Sequence, residues 1–256
     1  MNKQSAVQKL SSLSLFFPAY NEEANIARAV EQALSVLPTV AEMFEIIVIN
    51  DGSTDKTKEI AQKLANKYKT VRLVSQRNKG YGGAVKRGFA AAKYSWIFFT
   101  DSDLQFNLHE LPKLVKKTND NDLVLGYRKN RAEGLRRTML AKALKLWNRV
   151  FLGFPSGIKD IDCAFKLMRR EVIKTVEPLI SDGAMVSTEL LLKAHRAGFR
   201  YKQVGVRHYQ RQYGKPTGSD LRVILRAVRD TFVLRKRLMV EQVRTWAVIG
   251  SNGGGN

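Results

Sequence analysis

Trp96-Ile97-Phe98-Phe99-Thr100-Asp101-Ser102-Asp103-Leu104-Gln105 is an apolar run that ends abruptly in two carboxylates one residue apart. The block of aromatic and aliphatic residues predicts a buried strand. Such a strand delivers Asp101 and Asp103 to the carboxyl edge of a sheet, where open α/β sheets take their ligands. Two hard oxygen ligands, with the Gln105 amide as a third, suit a divalent cation that keeps positions open for phosphates. Asp-x-Asp also serves in turns and at helix N-caps, where a carboxylate accepts backbone N–H groups. The surrounding sequence decides between the two.

Upstream, the same pattern recurs three times. Leu13–Phe17 reads as a strand, followed by Pro18-Ala19-Tyr20-Asn21-Glu22-Glu23 and a helical stripe of Ile26, Val30, Ala33 and Leu34. A dinucleotide fold would place a glycine fingerprint at this turn. The chain offers instead an aromatic, Tyr20, suited to stacking on a base, and Glu22, suited to accepting from a ribose or base; acids here also suit a helix start. Glu45–Asn50 is the second strand and runs into Asp51-Gly52-Ser53-Thr54-Asp55, which caps the next helix and leaves Asp51 at a strand end. Val71–Ser75 is the third, followed by Asn78-Lys79-Gly80-Tyr81-Gly82-Gly83 and a helix to about Ala92. Glycines ahead of a helix permit close approach of a diphosphate. Strand alternating with helix implies a mainly parallel sheet with right-handed crossovers. Tyr20, Asp51, Gly80 and Asp101 then share one edge.

Composition narrows the partners. A 256-residue chain can bury a sizeable core, and its formal net charge of +21 calls for an anionic partner: nucleotide phosphates, nucleic acid or an acidic lipid surface. The single cysteine, Cys163, forms no internal disulfide, which fits a reducing compartment. Leu10–Tyr20 follows Lys3 and Lys9 but is broken by Ser11, Ser12, Ser14 and Pro18, so it reads as a strand and not an export signal. No stretch reaches the ~18 apolar residues of a membrane span. The chain is expected to be cytoplasmic, and peripheral at the cytoplasmic face of a membrane.

Four motifs in order, Pro-Ala-Tyr-Asn-Glu-Glu (18–23), Asp-Gly-Ser-Thr-Asp-Lys-Thr (51–57), Asn-Lys-Gly-Tyr-Gly-Gly-Ala (78–84) and Thr-Asp-Ser-Asp-Leu-Gln (100–105), resemble glycosyltransferase family 2, in its branch of dolichyl- and polyprenyl-phosphate sugar synthases. The resemblance covers roughly residues 13–210. It implies a GT-A fold: a nucleotide-sugar half over residues 13–105 and an acceptor half with a lid over 106–218, between an extension (1–12) and a basic amphipathic helix and tail (219–256). It further implies inverting transfer of a hexose from a donor of the GDP-mannose or UDP-glucose type to a polyprenyl or dolichyl phosphate, with Mg2+ or Mn2+. Pro18, Ala19, Tyr20, Glu22 and Asp51 match residues that hold the nucleoside, and Lys79, Gly80, Asp101 and Ser102 complete the donor set. Asp101, Asp103 and Gln105 match the metal ligands. Asn50 stands where the family commonly has Asp, and Phe106-Asn107 replaces His-Pro.

Downstream, Leu123–Tyr127 is a strand followed by Arg128, Lys129, Arg131, Arg136, Arg137, Lys142, Lys145 and Arg149, with Leu140, Leu144, Trp147 and Phe151 at helical spacing. This basic amphipathic helix suits a phosphate clamp, a membrane surface or a solvated face over a core. By resemblance Arg128 and Arg131 contact the acceptor phosphate, and Arg211 joins them; planar guanidinium forks suit that task. Asp160-Ile161-Asp162-Cys163-Ala164-Phe165-Lys166 resembles the family's acceptor-side motif, with Ala164 for glycine. Asp160 matches its acid and Asp162 is the alternative. Glu189, on a helix running through His195, matches an acid facing the site. Together with Asp103 these acids form the candidate catalytic set. Tyr201–Val206 reads as an edge strand, and Arg207–Gly218 as a mobile lid or a linker. From Ser219, Leu221, Ile224, Leu225, Val228 and Phe232 form a stripe among arginines, fit for a membrane interface or an oligomer contact. Three classes remain open: the lipid-phosphate transferase, a transferase with a soluble or polysaccharide hydroxyl acceptor, and a non-catalytic binder of nucleic acid or acidic surfaces. Against the last, the aromatics are not interleaved with the basic runs as stacking platforms would be, so nucleic acid is not expected as a partner.

Overall fold

The structure is a computed structural model that describes residues 9–129, 146–147, 149–213 and 229–239. Its centre is a seven-stranded sheet of order β3-β2-β1-β4-β6-β5-β7. The strands are β1 (Leu10–Ala19), β2 (Ala41–Asp51), β3 (Val71–Gln76), β4 (Trp96–Thr100), β5 (Leu123–Arg128), β6 (Phe165–Arg169) and β7 (Tyr201–Val206). The helices are α1 (Ile26–Val40), α2 (Thr57–Lys67), α3 (Gly80–Ala91), α4 (Leu111–Val115), α5 (Arg170–Val176) and α6 (Met185–Arg196). Residues 229–239 are also helical. β1 begins at Leu10, so it takes in the last residues of the segment expected as an extension.

β1 and β4 are buried almost throughout, as near-continuous apolar runs require when helices cover both faces. α1 buries Ile26, Ala29, Val30, Ala33, Val36, Leu37 and Val40, one stripe at helical spacing. Phe16 and Phe99 stack at 5.4 Å between centroids, and Phe89 of α3 meets both edge-on. Gly88 makes this possible, because a Cβ there would lie 2.3 Å from the Phe16 ring. At the edge of the sheet away from the ligand rim, the buried Glu45 accepts from Ser14 Oγ (2.6 Å), Arg72 Nε (2.9 Å) and the Lys93 amide (3.1 Å). One carboxylate thereby ties β1, β2, β3 and the entry to β4.

β1 to β4 are mutually parallel, as the alternation predicts. The exception is β6, which runs antiparallel between β4 and β5, pairing Thr100 with Phe165 and Leu125 with Lys166. Reversal brings the start of β6, and with it residues 160–164, to the edge where β4 ends. β5 and β7 are parallel to each other and end at that edge too. β7 closes the sheet as the edge strand that the sequence predicts.

Candidate active site

The chain order reverses between β1 and β4, and this switch point opens a crevice beyond the strand ends. Ser102 braces it: its hydroxyl donates to the Pro18 carbonyl at 3.0 Å, so the side chain proposed for the donor holds the two strand ends together. Tyr20 stands 49% exposed on the rim. Asn21 adopts φ +55° and exchanges bonds with the next loop, donating its amide to Ser53 Oγ and accepting from the Thr54 amide at 2.8 Å. Glu23 accepts from the Lys56 amide, and Thr57 Oγ1 accepts from the Glu22 amide. The first two motifs are thus largely each other's scaffold, with Tyr20, Glu22 and Asp51 left facing the crevice. Asp51 is buried, and Gln76 Nε2 (2.7 Å) and the Lys79 amide (2.9 Å) both donate to its Oδ1. Pro18 and Ala19 finish β1, and the Lys79 side chain is exposed.

The glycine turn packs against the loop ahead of α6. The Gly82 amide donates to the Asp182 carbonyl at 2.9 Å, and a Cβ on Gly82 would come within 2.5 Å of that residue's backbone. Close approach here serves the loop ahead of α6. Gly80 begins α3 beside the same carbonyl.

Asp101 is half-buried and Asp103 buried. Burial, then the neighbouring Asp103 charge, raise Asp101 to about 7, opposed by a hydrogen bond from Tyr81 and the charge of Lys166. An acid whose folded value lies above its unfolded one holds a proton on folding. Its ionisation therefore lowers stability as pH rises from about 4 through about 7. Glu22 is also raised, first by burial. Between the loops sits Arg211, which donates to Glu22 Oε1 at 2.6 Å and lies 3.5 Å from Asp103 Oδ2. Arg211, expected on the acceptor phosphate, is thus placed beside Glu22 and Asp103. Gln105 donates its Nε2 to the Tyr209 carbonyl at 3.1 Å, leaving its oxygen to face elsewhere. Leu104, between these residues, takes φ +60°, a conformation that non-glycine residues hold only where the surroundings impose it.

Among the described residues no three His, Cys, Asp or Glu side chains converge on a metal position. Two carboxylates and one amide oxygen still fit a hard divalent cation that takes its other ligands from a diphosphate. The guanidinium beside Asp103 shows that the position accepts positive charge.

In the acceptor half, three of the expected site residues are engaged by the fold. Asp160, expected as a catalytic acid, is buried and accepts from Arg128 Nε (2.7 Å), Nη2 (2.8 Å) and backbone amide (3.2 Å). Arg128, expected on the acceptor phosphate, is held by that bidentate pair, and a proton taken up by Asp160 would disrupt it. Glu189, expected to face the site, is fully buried. Its carboxylate accepts from the Ile180 and Ser181 amides at 2.9–3.0 Å and pairs with Lys193 at 3.2 Å. It staples the loop that carries Asp182, one step removed from the rim. Asp162 is exposed and its charge acts on Tyr81 and Lys166, which leaves it as the acid of this segment nearest the crevice. Arg131 lies outside the described residues, as do Leu140, Leu144 and the stripe from Leu221 to Val228.

Two residues were not singled out from sequence. Tyr81 hydrogen-bonds Asp101, and its phenol is raised well above its usual value, first by burial and then by that carboxylate. Its signal was an aromatic inside a glycine turn. Lys166 is fully buried, donates to the Cys163 carbonyl at 2.5 Å, lies 5.3 Å from the Phe99 ring centroid, and is lowered by burial. Cys163 is buried and pushed up to about 12, chiefly by burial, which suits a packed thiol and not a nucleophile.

A sheet of this topology, bearing a carboxylate pair beyond its switch point, defines a GT-A domain. The likeness of fold extends to glucosyl-3-phosphoglycerate synthase from Mycobacterium tuberculosis, solved with Mn2+, UDP and glucosyl-3-phosphoglycerate: TM-score 0.69 at 24% identity, over 88% of this chain and 80% of that one. The chain belongs to glycosyl transferase family 2, whose family model matches residues 14–177. It is 31% identical to a dodecaprenyl-phosphate galacturonate synthase of Rhizobium johnstonii, over 90% of this chain and 69% of that protein. It is 29% identical to the dolichyl-phosphate beta-glucosyltransferase ALG5A of Trichomonas vaginalis, over 82% and 68%. With the glycosyltransferase AglD of Haloferax volcanii it shares 31% identity over 76% of this chain, which spans only 32% of that protein's length.

Proposed function

We propose that the chain transfers a hexose, with inversion, from a nucleoside-diphosphate sugar to a polyprenyl or dolichyl phosphate. The observation that carries this is the convergence of Tyr20, Glu22, Asp51, Asp101 and Asp103 on one rim from the ends of parallel strands. The Rhizobium dodecaprenyl-phosphate synthase and the Trichomonas dolichyl-phosphate transferase support the lipid phosphate.

Tyr20 stacks on the base, and Asp51 and Glu22 read its edge or the ribose. Asp101, Asp103 and Gln105 would hold Mg2+ or Mn2+, which when bound would supply charge neutralisation for the leaving diphosphate. Tyr81 orients Asp101 through its hydroxyl. An acceptor phosphate is largely ionised near neutral pH, its second pKa being about 6, so its oxygen attacks the anomeric carbon without a general base. One displacement inverts that centre, and the diphosphate leaves with the bonding electron pair. Arg131 is retained as the acceptor's cation, since Arg128 is engaged by Asp160.

The membrane surface belongs to the same proposal. Among the described residues no helix is long and apolar enough to cross a membrane. In residues 229–239, Phe232, Val233 and Met239 are exposed, with Arg229, Arg235, Lys236 and Arg237 among them, a pattern suited to anionic headgroups at the cytoplasmic face. Trp147 and Phe151 stack at 3.7 Å and meet Phe232 edge-on, joining this helix to the segment around Trp147.

A hydroxyl acceptor is favoured by one observation, the exposed Asp162, because such an acceptor needs a base. A thermal-shift panel of GDP- and UDP-sugars with and without Mn2+, followed by transfer to polyprenyl phosphate in anionic vesicles, tests the proposal. Metal-dependent stabilisation and a lipid-linked product are expected. Transfer to a soluble sugar alone moves the acceptor to the hydroxyl class, and the absence of any metal-dependent nucleotide binding overturns the assignment.

A further inference from the structure

One segment, residues 207–213, engages two of the three side chains assigned to the cation. Its backbone is laid against the loop that follows β4. Tyr209 donates its amide to the Gln105 carbonyl at 2.9 Å, the Gln105 side chain donates to the Tyr209 carbonyl at 3.1 Å, and His208 bridges Phe106. Arg28 Nη1 donates to Gln212 Oε1 at 3.2 Å, pinning the far end against α1. These anchors present Arg211 to the crevice. Its Nε donates to the Tyr213 carbonyl at 2.6 Å, which fixes the side chain's direction. Its terminal nitrogens reach Glu22 Oε1 at 2.6 Å and Asp103 Oδ2 at 3.5 Å. Both carboxylates are buried, at 8% and 7% exposure, so each requires a compensating charge close by. The guanidinium supplies it to both.

We propose that Arg211 is a tethered counter-ion that competes with the divalent cation for Asp103, so that metal binding and release of the 207–213 segment are one coupled equilibrium. This rests on the assignment of Asp101, Asp103 and Gln105 to a metal. A cation that takes Asp103 meets a like charge 3.5 Å from the same carboxylate oxygen. Arg211 must then leave Asp103, and the segment that carries it loosens with it. A diphosphate arriving with the metal offers the displaced guanidinium a new anionic partner. The consequence is order: metal and donor enter before the segment settles into its working position. By contrast, Arg207 carries the same charge on the same segment, but its contact is a backbone amide 3.4 Å from Glu110, away from these carboxylates.

The test measures Mn2+ binding to the full chain without nucleotide, by the electron paramagnetic resonance signal of free Mn2+. Arg211→Gln is expected to bind Mn2+ about tenfold more tightly than the unmodified protein, because a like charge beside the site is removed. Arg211→Lys, which keeps the charge, is expected to stay within about twofold, and Arg207→Gln to show no change. Circular dichroism checks that each variant is folded; if Arg211→Gln is not, Arg211→Met, which also removes the charge, is measured in its place with the same expected tightening. Unchanged or weaker Mn2+ binding by Arg211→Gln overturns the competition while leaving the metal site standing. Equal tightening by Arg207→Gln reduces the effect to net charge and overturns it as well. If neither the unmodified protein nor any variant binds Mn2+, the metal assignment itself fails and takes this inference with it.

Discussion

Asp101 and Asp160 lie on the same rim, one just beyond β4 and the other just ahead of β6, yet their surroundings are opposite. Asp160 has both oxygens engaged by the fork of Arg128. Asp101 has a buried cation, Lys166, nearby and a phenol on one side, and burial together with a second carboxylate raises it to about 7. Glu189 resembles Asp160: fully buried and satisfied by two amides and a lysine. Glu22 resembles Asp101, raised by burial and by a neighbouring acid. Asp160 and Glu189 are consumed by the fold, whereas Asp101 and Glu22 retain an electrostatic demand that an incoming cation can meet. The raised group is the better guide to ligand chemistry.

The sharpest way to break this contrast is at the metal pair. Asp101→Asn and Asp103→Asn are each expected to lower metal-dependent nucleotide-diphosphate affinity by more than the roughly 10–100-fold of an outer-sphere change, with loss of transfer. In metal-free buffer Asp101→Asn should melt at or above the unmodified protein. Its advantage should grow between pH 5.5 and pH 8, because the carboxylate that must ionise with rising pH is gone. A lower melting temperature for Asp101→Asn at pH 8 than at pH 5.5, relative to the parent, would contradict the electrostatic picture.

Glu189→Ala is next in size. It leaves Lys193 and two amides without their carboxylate, at a cost of about 3–5 kcal/mol in denaturant unfolding. A variant that loses transfer with its stability intact would return Glu189 to the catalytic set. The Arg128–Asp160 pair follows: a double-mutant cycle with Arg128→Met and Asp160→Leu should show a coupling of about 1–3 kcal/mol. If Asp160→Asn abolishes transfer without lowering stability, the acid acts on substrate after all. Smallest is Tyr20→Ala, expected to weaken nucleotide affinity by about 1–2 kcal/mol, read by calorimetry, with no change in melting because the ring is 49% exposed.

Much of this was legible beforehand. The four strands with their terminal Tyr20, Asp51, Gly80 and Asp101 follow from apolar runs interrupted by polar turns, and the observed strands lie at those places. The reversal of β6 was not legible, because Phe165–Arg169 reads the same whichever way it pairs. Nor was the use of the glycine turn: Gly82 is needed for the Asp182 backbone, a hundred residues further along the chain. That Asn21, Glu23 and Asp55 brace one loop against the other was not legible either, because a polar side chain in a loop carries no mark of what it will bond.

By itself, the sequence determined which residues are buried in strands and which polar groups stand at their ends, since burial periodicity and chain punctuation are local properties. Only the tertiary structure decided which of those groups remain available. Arg128 meets Asp160, Arg211 meets Glu22, and Glu189 meets the amides at 180–181. A charge buried in a protein must be matched by whatever the fold brings within a few ångströms, and for pairs 32 or 189 residues apart that is settled by the path of the chain through space.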